Sequence, residues 1–109
     1  MKHPVIVEVS IVPLGTNSTS LSRYVADVEK VLRESTKVKS MLTPMASILE
    51  GDLEEVLKVI RRMHEVPFLK GAKRVSTRIT IDDRRDKTAS MGAKVASVEN
   101  KIKDDAKGS

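Results

Sequence analysis

The hydrophobic period of this chain switches back and forth between that of a strand and that of a helix, and the order of the switches limits the folds open to it. Residues 4–12 (PVIVEVSIV) alternate. Val5, Val7, Val9 and Ile11 fall on one face, and Ile6, Glu8, Ser10 and Val12 on the other. The β-branched content agrees with a strand. Pro13 and Gly15 are expected to end it, and residues 16–20 read as a polar loop offering several helix caps. Over residues 20–34, Leu21, Tyr24, Val25, Val28, Val31 and Leu32 recur at helical spacing. Arg23, Asp27, Glu29, Lys30 and Arg33 are expected mostly away from that stripe. Residues 38–50 contain two short apolar stretches interrupted by Pro44, which predict paired strands or one bent strand with Pro44 at a turn or an edge.

Asp52 followed by Glu55 resembles a capping box with Asp in place of Ser or Thr, and opens a second helix. Leu53, Val56, Leu57, Ile60 and Met63 supply its buried side, and Pro67 and Gly71 close it. Residues 74–82 (RVSTRITID) alternate again, with Val75, Thr77, Ile79 and Ile81 on one face. A third helix is predicted over residues 88–103 from Met91, Val95, Val98 and Ile102, followed by a polar, frayed tail at about 104–109. The order strand, helix, strand, strand, helix, strand, helix predicts an α+β fold, the ferredoxin-like βαββαβ sandwich with an additional C-terminal helix. At 109 residues the whole chain is one such domain. Helices would cover one sheet face. The other would carry Ile6, Glu8, Ser10 and Val12 beside Arg74 and Arg78, with Glu8 able to pair with Arg78, and suits a contact between subunits.

Aromatic residues make up only 2% of the chain, Tyr24 and Phe68, so the core is built from Val, Ile, Leu, Met and Ala. The absence of cysteine excludes disulfides and thiolate metal sites and fits a reducing compartment. No apolar run approaches the roughly 18–20 residues of a spanning helix, and the N-terminus shows no signal-peptide pattern. The net charge of +5 comes from basic residues interspersed with acidic ones, which reads as solubilising charge.

Catalytic patterns are missing. His3 and His64 lie on separate elements without metal-ligand spacing, and His64 reads as a helix C-terminal residue favoured by the dipole. No serine sits in a nucleophile elbow, and Gly15 stands alone in its loop, so neither a P-loop nor a dinucleotide fingerprint is present. Asp82, Asp83 and Asp86 could offer oxygen ligands to a cation. Arg84 and Arg85 among them point instead to internal ion pairs in a solvated turn. The last strand and the predicted centre of the sheet lack the aromatics that stack bases, so specific nucleic-acid reading is not expected. The predicted topology gathers Ser10, Thr16, Asn17, Ser20, Ser22, Thr43, Ser47 and Arg74 at one end of the sheet. Such a collection suits a polar or anionic small ligand; the alternative is that residues 16–22 only cap and solubilise a loop.

Several stretches resemble the small thiamine-binding-protein family, formerly catalogued as a conserved family of unknown function. They are residues 8–16 (EVSIVPLGT), 20–26 (SLSRYVA), 43–51 (TPMASILEG), Met63-His64-Glu65, 74–87 (RVSTRITIDDRRDK) and Ser97-Val98-Glu99. PLGT and IDDRRDK are the more specific of these. Ala46 departs from the pattern, standing where glycine is expected and narrowing or stiffening the hairpin. The resemblance implies a ferredoxin-like fold, homodimers assembling into tetramers, and a cytoplasmic protein. It also implies binding of thiamine or its hydroxymethylpyrimidine portion without catalysis; the residues themselves point to no cofactor or metal. The matching positions for the ligand are Ser10, Thr43 and Ser47, with Glu8 as a carboxylate for a protonated ring nitrogen, and Met45 or Leu42 as apolar contacts. The expected function is thus a non-catalytic, oligomeric binding protein for a thiamine-like heterocycle. The alternatives are an interaction module whose oligomer is the functional unit, and a metal-dependent enzyme using Asp82, Asp83 and Asp86.

Overall fold

The computed structural model describes residues 3–15, 22–86 and 90–108. The elements run β1 (Pro4–Leu14), α1 (Ser22–Glu34), β2 (Lys39–Leu42), β3 (Ser47–Asp52), α2 (Leu53–Leu69), β4 (Arg74–Asp82) and α3 (Met91–Gly108). The sheet is antiparallel in the order β2-β3-β1-β4, the ferredoxin-like arrangement with β1 and β3 in the middle. The fold is therefore α+β as the hydrophobic pattern predicts.

Register determines which side chains meet. Val5, Val7 and Val9 stand opposite Gly51, Leu49 and Ser47 of β3, while Val7 and Val9 face Ile81 and Ile79 of β4. Cross-strand partners share a face, so these residues form the side on which α1 and α2 lie. Val7, Leu32, Leu49 and Val56 are wholly buried there, with Ile60 and Met63 packed beside them. The opposite face carries Ile6, Glu8, Ser10 and Val12 against Asp82, Thr80, Arg78 and Ser76. Glu8 therefore stands opposite Thr80 and not Arg78, and no ion pair joins Glu8 to Arg78 among the described residues.

Several boundaries differ from the sequence reading for identifiable reasons. β1 runs on through Pro13 to Leu14. Its last pair with β3 is Val9↔Ser47, so beyond that point one side of the strand is vacant and a missing N–H costs least. Asp52 occupies the N-cap of α2 with an extended backbone, but its side chain makes no capping hydrogen bond. The helix passes through Pro67 and closes in the next turn. There Gly71 N–H donates to Phe68 and Ala72 N–H to the Pro67 carbonyl, a Schellman closure in which Gly71 takes φ +100°. α3 starts at Met91, behind Ser90, whose hydroxyl accepts from Ala93 N–H. It continues to Gly108, so the polar run expected as a frayed tail prolongs the helix.

α3 has no extensive packing against another element among the described residues. Residues 92–106 are all exposed, including Val95, Val98 and Ile102 at 57–58%. Lys94, paired with Asp82, ties it to β4.

Candidate functional site

A cleft of about 160 Å³ opens where the β2–β3 hairpin passes under the N-terminal half of α1. Val9, Ile11, Val25 and Val28 form much of its apolar wall, and Met63 of α2 closes its depth. The polar groups are fewer and deeper. Glu29 and Ser47 are each only 7% exposed, and the Ser47 hydroxyl donates to Glu29 Oε1. A serine at the start of β3 and a carboxylate in the middle of α1 are thus joined across the floor. The second Glu29 oxygen lies 4.0 Å from Arg33 Nε, at ion-pair range only.

Glu29 was expected on the outer side of α1, and the structure turns it inward. Asp27 is likewise buried, at 8%, beside Arg23 and Lys30. The signal for Glu29 was present in the spacing. It stands four residues after Val25 and three before Leu32, within the arc those residues define on a helix of 3.6 residues per turn. A carboxylate inside an apolar stripe is costly to bury without partners, so its presence there marks a place where polarity is wanted.

The sequence-predicted residues divide by position. Ser47 lies on the cleft floor. Thr43 borders the cleft, but its hydroxyl is occupied: Oγ1 donates to the Ala46 carbonyl at 2.8 Å and accepts from the N–H groups of Ala46 and Met45 at 3.0 and 3.3 Å. With Thr43 N–H also donating to the Ala46 carbonyl, this side chain ties off the hairpin and positions Ser47. Ala46 has no positive φ, so the backbone makes no demand for glycine there. Ser10 borders the cleft at its rim, yet it follows Val9, the partner of Ser47, and its side chain therefore belongs to the opposite face of the sheet. Glu8 is on that opposite face too, exposed and away from the cleft. Arg74 is exposed at the start of β4, opposite Leu14. Ser22 opens α1, and Thr16, Asn17 and Ser20 lie outside the described residues. Met45, 86% exposed at the hairpin tip, and Leu42, 50% exposed, flank the opening.

Two other candidates receive structural roles. α2 extends beyond His64, which is therefore not at its C-terminus. Its Nδ1 lies 2.6 Å from Thr77 Oγ1 on β4, and its ring meets Phe68 edge-on at 5.5 Å. In the turn after β4, Arg84 pairs with Asp86 and Arg85 with Asp83, both through guanidinium Nε and Nη2. These bonds hold the Asp83 carboxyl below its ordinary range and raise both arginines. No group of three or more potential metal ligands occurs among the described residues. No helix among them is long and apolar enough to cross a membrane.

Comparison with known proteins shows the family and the fold. The family model described as thiamine-binding protein matches residues 7–99. The chain belongs to the thiamine-binding protein family. A UPF0045 protein of Bacillus subtilis is 48% identical over 96 residues, covering 85% of this chain and 92% of that protein. A UPF0045 protein of Methanothermobacter thermautotrophicus is 39% identical over 99 residues, 90% of this chain and 99% of its own. Among solved structures, a hypothetical protein of Methanocaldococcus jannaschii superposes with a TM-score of 0.80 at 34% identity, covering 89% of this chain and 97% of that one. A Thermotoga maritima protein given a candidate role in thiamine biosynthesis or salvage shares the fold, with a TM-score of 0.72 at 19% identity over 87% of this chain and 98% of that one.

Proposed function

We propose that this family member binds the aminopyrimidine portion of thiamine, or free hydroxymethylpyrimidine, in the cleft between α1 and the β2–β3 hairpin, without transforming it. The carrying observation is the buried Glu29–Ser47 pair in an otherwise apolar recess. An aminopyrimidine offers an amino donor beside ring nitrogens, and a carboxylate with an adjacent hydroxyl is complementary to such an edge. The recess, at about 160 Å³, is smaller than the ~300–1,000 Å³ sites that enclose drug-sized molecules. It suits one small ring, with the remainder of a larger ligand outside. Aromatic stacking plays no part. The thioether of Met45 is free to lie over the ring instead, an apolar contact that methionine makes readily.

Self-association belongs to this reading. β4 is a long edge strand whose helix-side residues Ile79 and Ile81 remain 44% and 43% exposed, and on α3 Val95, Val98 and Ile102 are more than half exposed. Unpaired strand edges and uncovered apolar stripes are what a second copy would cover. We infer a dimer or tetramer, in a cytoplasmic setting that suits the cysteine-free chain. The same surfaces favour the second reading, an interaction module whose assembly is its function.

Titration calorimetry with thiamine and with hydroxymethylpyrimidine separates the two. Binding of either, abolished or sharply weakened by Glu29→Gln, supports the ligand-binding reading. The lack of heat with both at millimolar ligand would overturn it and leave the interaction module.

A further inference from the structure

Glu29 does not end the site. On its other side a wider recess of about 560 Å³ runs along the outer flank of α1, and Val25, Glu29 and Leu42 line both spaces. Its remaining lining residues, Ala26, Lys30 and Arg33, lie on the adjoining stripe of the same helix. The two spaces differ in character. The first is small and apolar around one buried polar pair, whereas the second is open and has two cationic side chains at its border.

Those cations are only loosely engaged. Arg33 Nε is 4.0 Å from Glu29 and Lys30 Nζ is 3.9 Å from Asp27, distances of ion pairs and not of hydrogen bonds, and the two side chains are 70% and 73% exposed. Their donors are available to an incoming anion. Arg33 lies about one helical turn beyond Glu29 and Lys30 directly follows it, which sets how far the anion can be from the ring. A neutral sugar or apolar tail would gain nothing from such a border. A phosphate ester gains charge-assisted hydrogen bonds and keeps its hydration in the open recess.

We propose that the preferred ligand is a phosphate monoester of the heterocycle, with the ring held at Glu29 and Ser47 and the phosphate against Arg33 and Lys30. This rests on the aminopyrimidine reading and narrows it to a substrate class. Along the site the charges then alternate, from ring donors to the Glu29 carboxylate, to the Arg33 guanidinium, to the phosphate. A phosphate monoester carries about −1.5 to −2 at neutral pH, so both cations have a partner.

The test compares hydroxymethylpyrimidine with its phosphate monoester by calorimetry at low ionic strength, on the full chain and on a Lys30→Gln/Arg33→Gln variant whose helicity is checked by circular dichroism. The phosphorylated compound is expected to bind about tenfold more tightly than the alcohol, an advantage of the size that two partly exposed charge contacts supply. That ratio should fall to about one in the double variant and shrink with added salt, as an exposed electrostatic contact must. Equal affinity of the two compounds for the unmodified chain, or a ratio unchanged in the double variant, overturns the phosphate proposal while leaving ring binding intact. If neither compound binds, the aminopyrimidine reading itself fails, and this proposal with it.

Discussion

The Ser47 hydroxyl donates a hydrogen bond to the Glu29 carboxylate, linking the first residue of β3 to the middle of α1. Neither partner is near the other in sequence, and both are buried. The bond serves the fold as well as the site, because it supplies a partner for a carboxylate that would otherwise lack a donor on the cleft floor.

Ser47→Ala therefore has two expected effects. Removing the donor leaves a buried carboxylate oxygen unsatisfied, which costs about 1–3 kcal/mol of stability, measurable by urea unfolding. It should also weaken ring binding by about tenfold, since one orienting contact is lost. Ser10→Ala, whose side chain is on the other face, should weaken binding less than Ser47→Ala; the reverse order would relocate the site to the open face.

Thr43 is expected to matter through the hairpin. Thr43→Val keeps the shape and removes the hydroxyl that engages Ala46 and Met45, and should lower stability by about 1–2 kcal/mol. Thr43→Ser keeps the hydroxyl and should restore most of that loss. If both variants unfold like the unmodified chain while ligand affinity falls, Thr43 touches ligand directly.

Gly71 has φ +100° and nothing within 4 Å of where a Cβ would stand. Gly71→Ala should therefore destabilise by about 1–2 kcal/mol through backbone conformation alone, with no steric clash to relieve. A thermal melt monitored by circular dichroism would show it.

Asp83 gives a pH-dependent signal. Its carboxyl is lowered from 3.8, first by the hydrogen bond from Arg85. A depressed carboxylate contributes stability that is present above its unfolded pKa and is lost as pH falls through the lower folded value. The Arg85–Asp83 contact should therefore be intact at neutral pH and should break only below the usual carboxylate range. Arg85→Gln should move the Asp83 titration, followed by carboxyl carbon NMR, back towards its ordinary position.

Replacing Val95, Val98 and Ile102 together by Glu should leave the far-ultraviolet spectrum nearly unchanged, because these side chains are exposed within the protomer. It should reduce assembly, read as molar mass by light scattering. An unchanged mass would place the subunit contact on β4 or on the open sheet face.

Much of the fold was legible because it follows from period alone. Val5, Val7 and Val9 in β1 had only one way to satisfy a buried face, the alternation of β4 marked a strand, and Pro44 stands at the break between β2 and β3, one of the two places its ring allowed. Element ends were less legible, since they depend on neighbours. Pro13 stays in β1 because β3 has already ended, and α2 continues through Pro67 because the Schellman turn at Gly71 closes the helix beyond it. The site was half legible. The topology brings Thr43 and Ser47 together, but the expectation that the charged residues of α1 lie mostly outward hides Glu29. Its spacing from Val25 and Leu32 showed that it shared their arc, while the partner that makes its burial tolerable sits on another element. The face of Ser10 was hidden for a related reason: proximity at one end of a sheet does not reveal which face a strand residue takes until the register with β3 is known.

The projecting α3 also affects how assembly must be measured. The protomer spans 55 × 36 × 19 Å with a radius of gyration of 16.6 Å, whereas a compact chain of 100 residues has about 13 Å. An elongated particle diffuses like a heavier sphere. A lone protomer would leave a gel-filtration column early enough to pass for a dimer, whereas an assembly that folded α3 inward would elute close to its true mass.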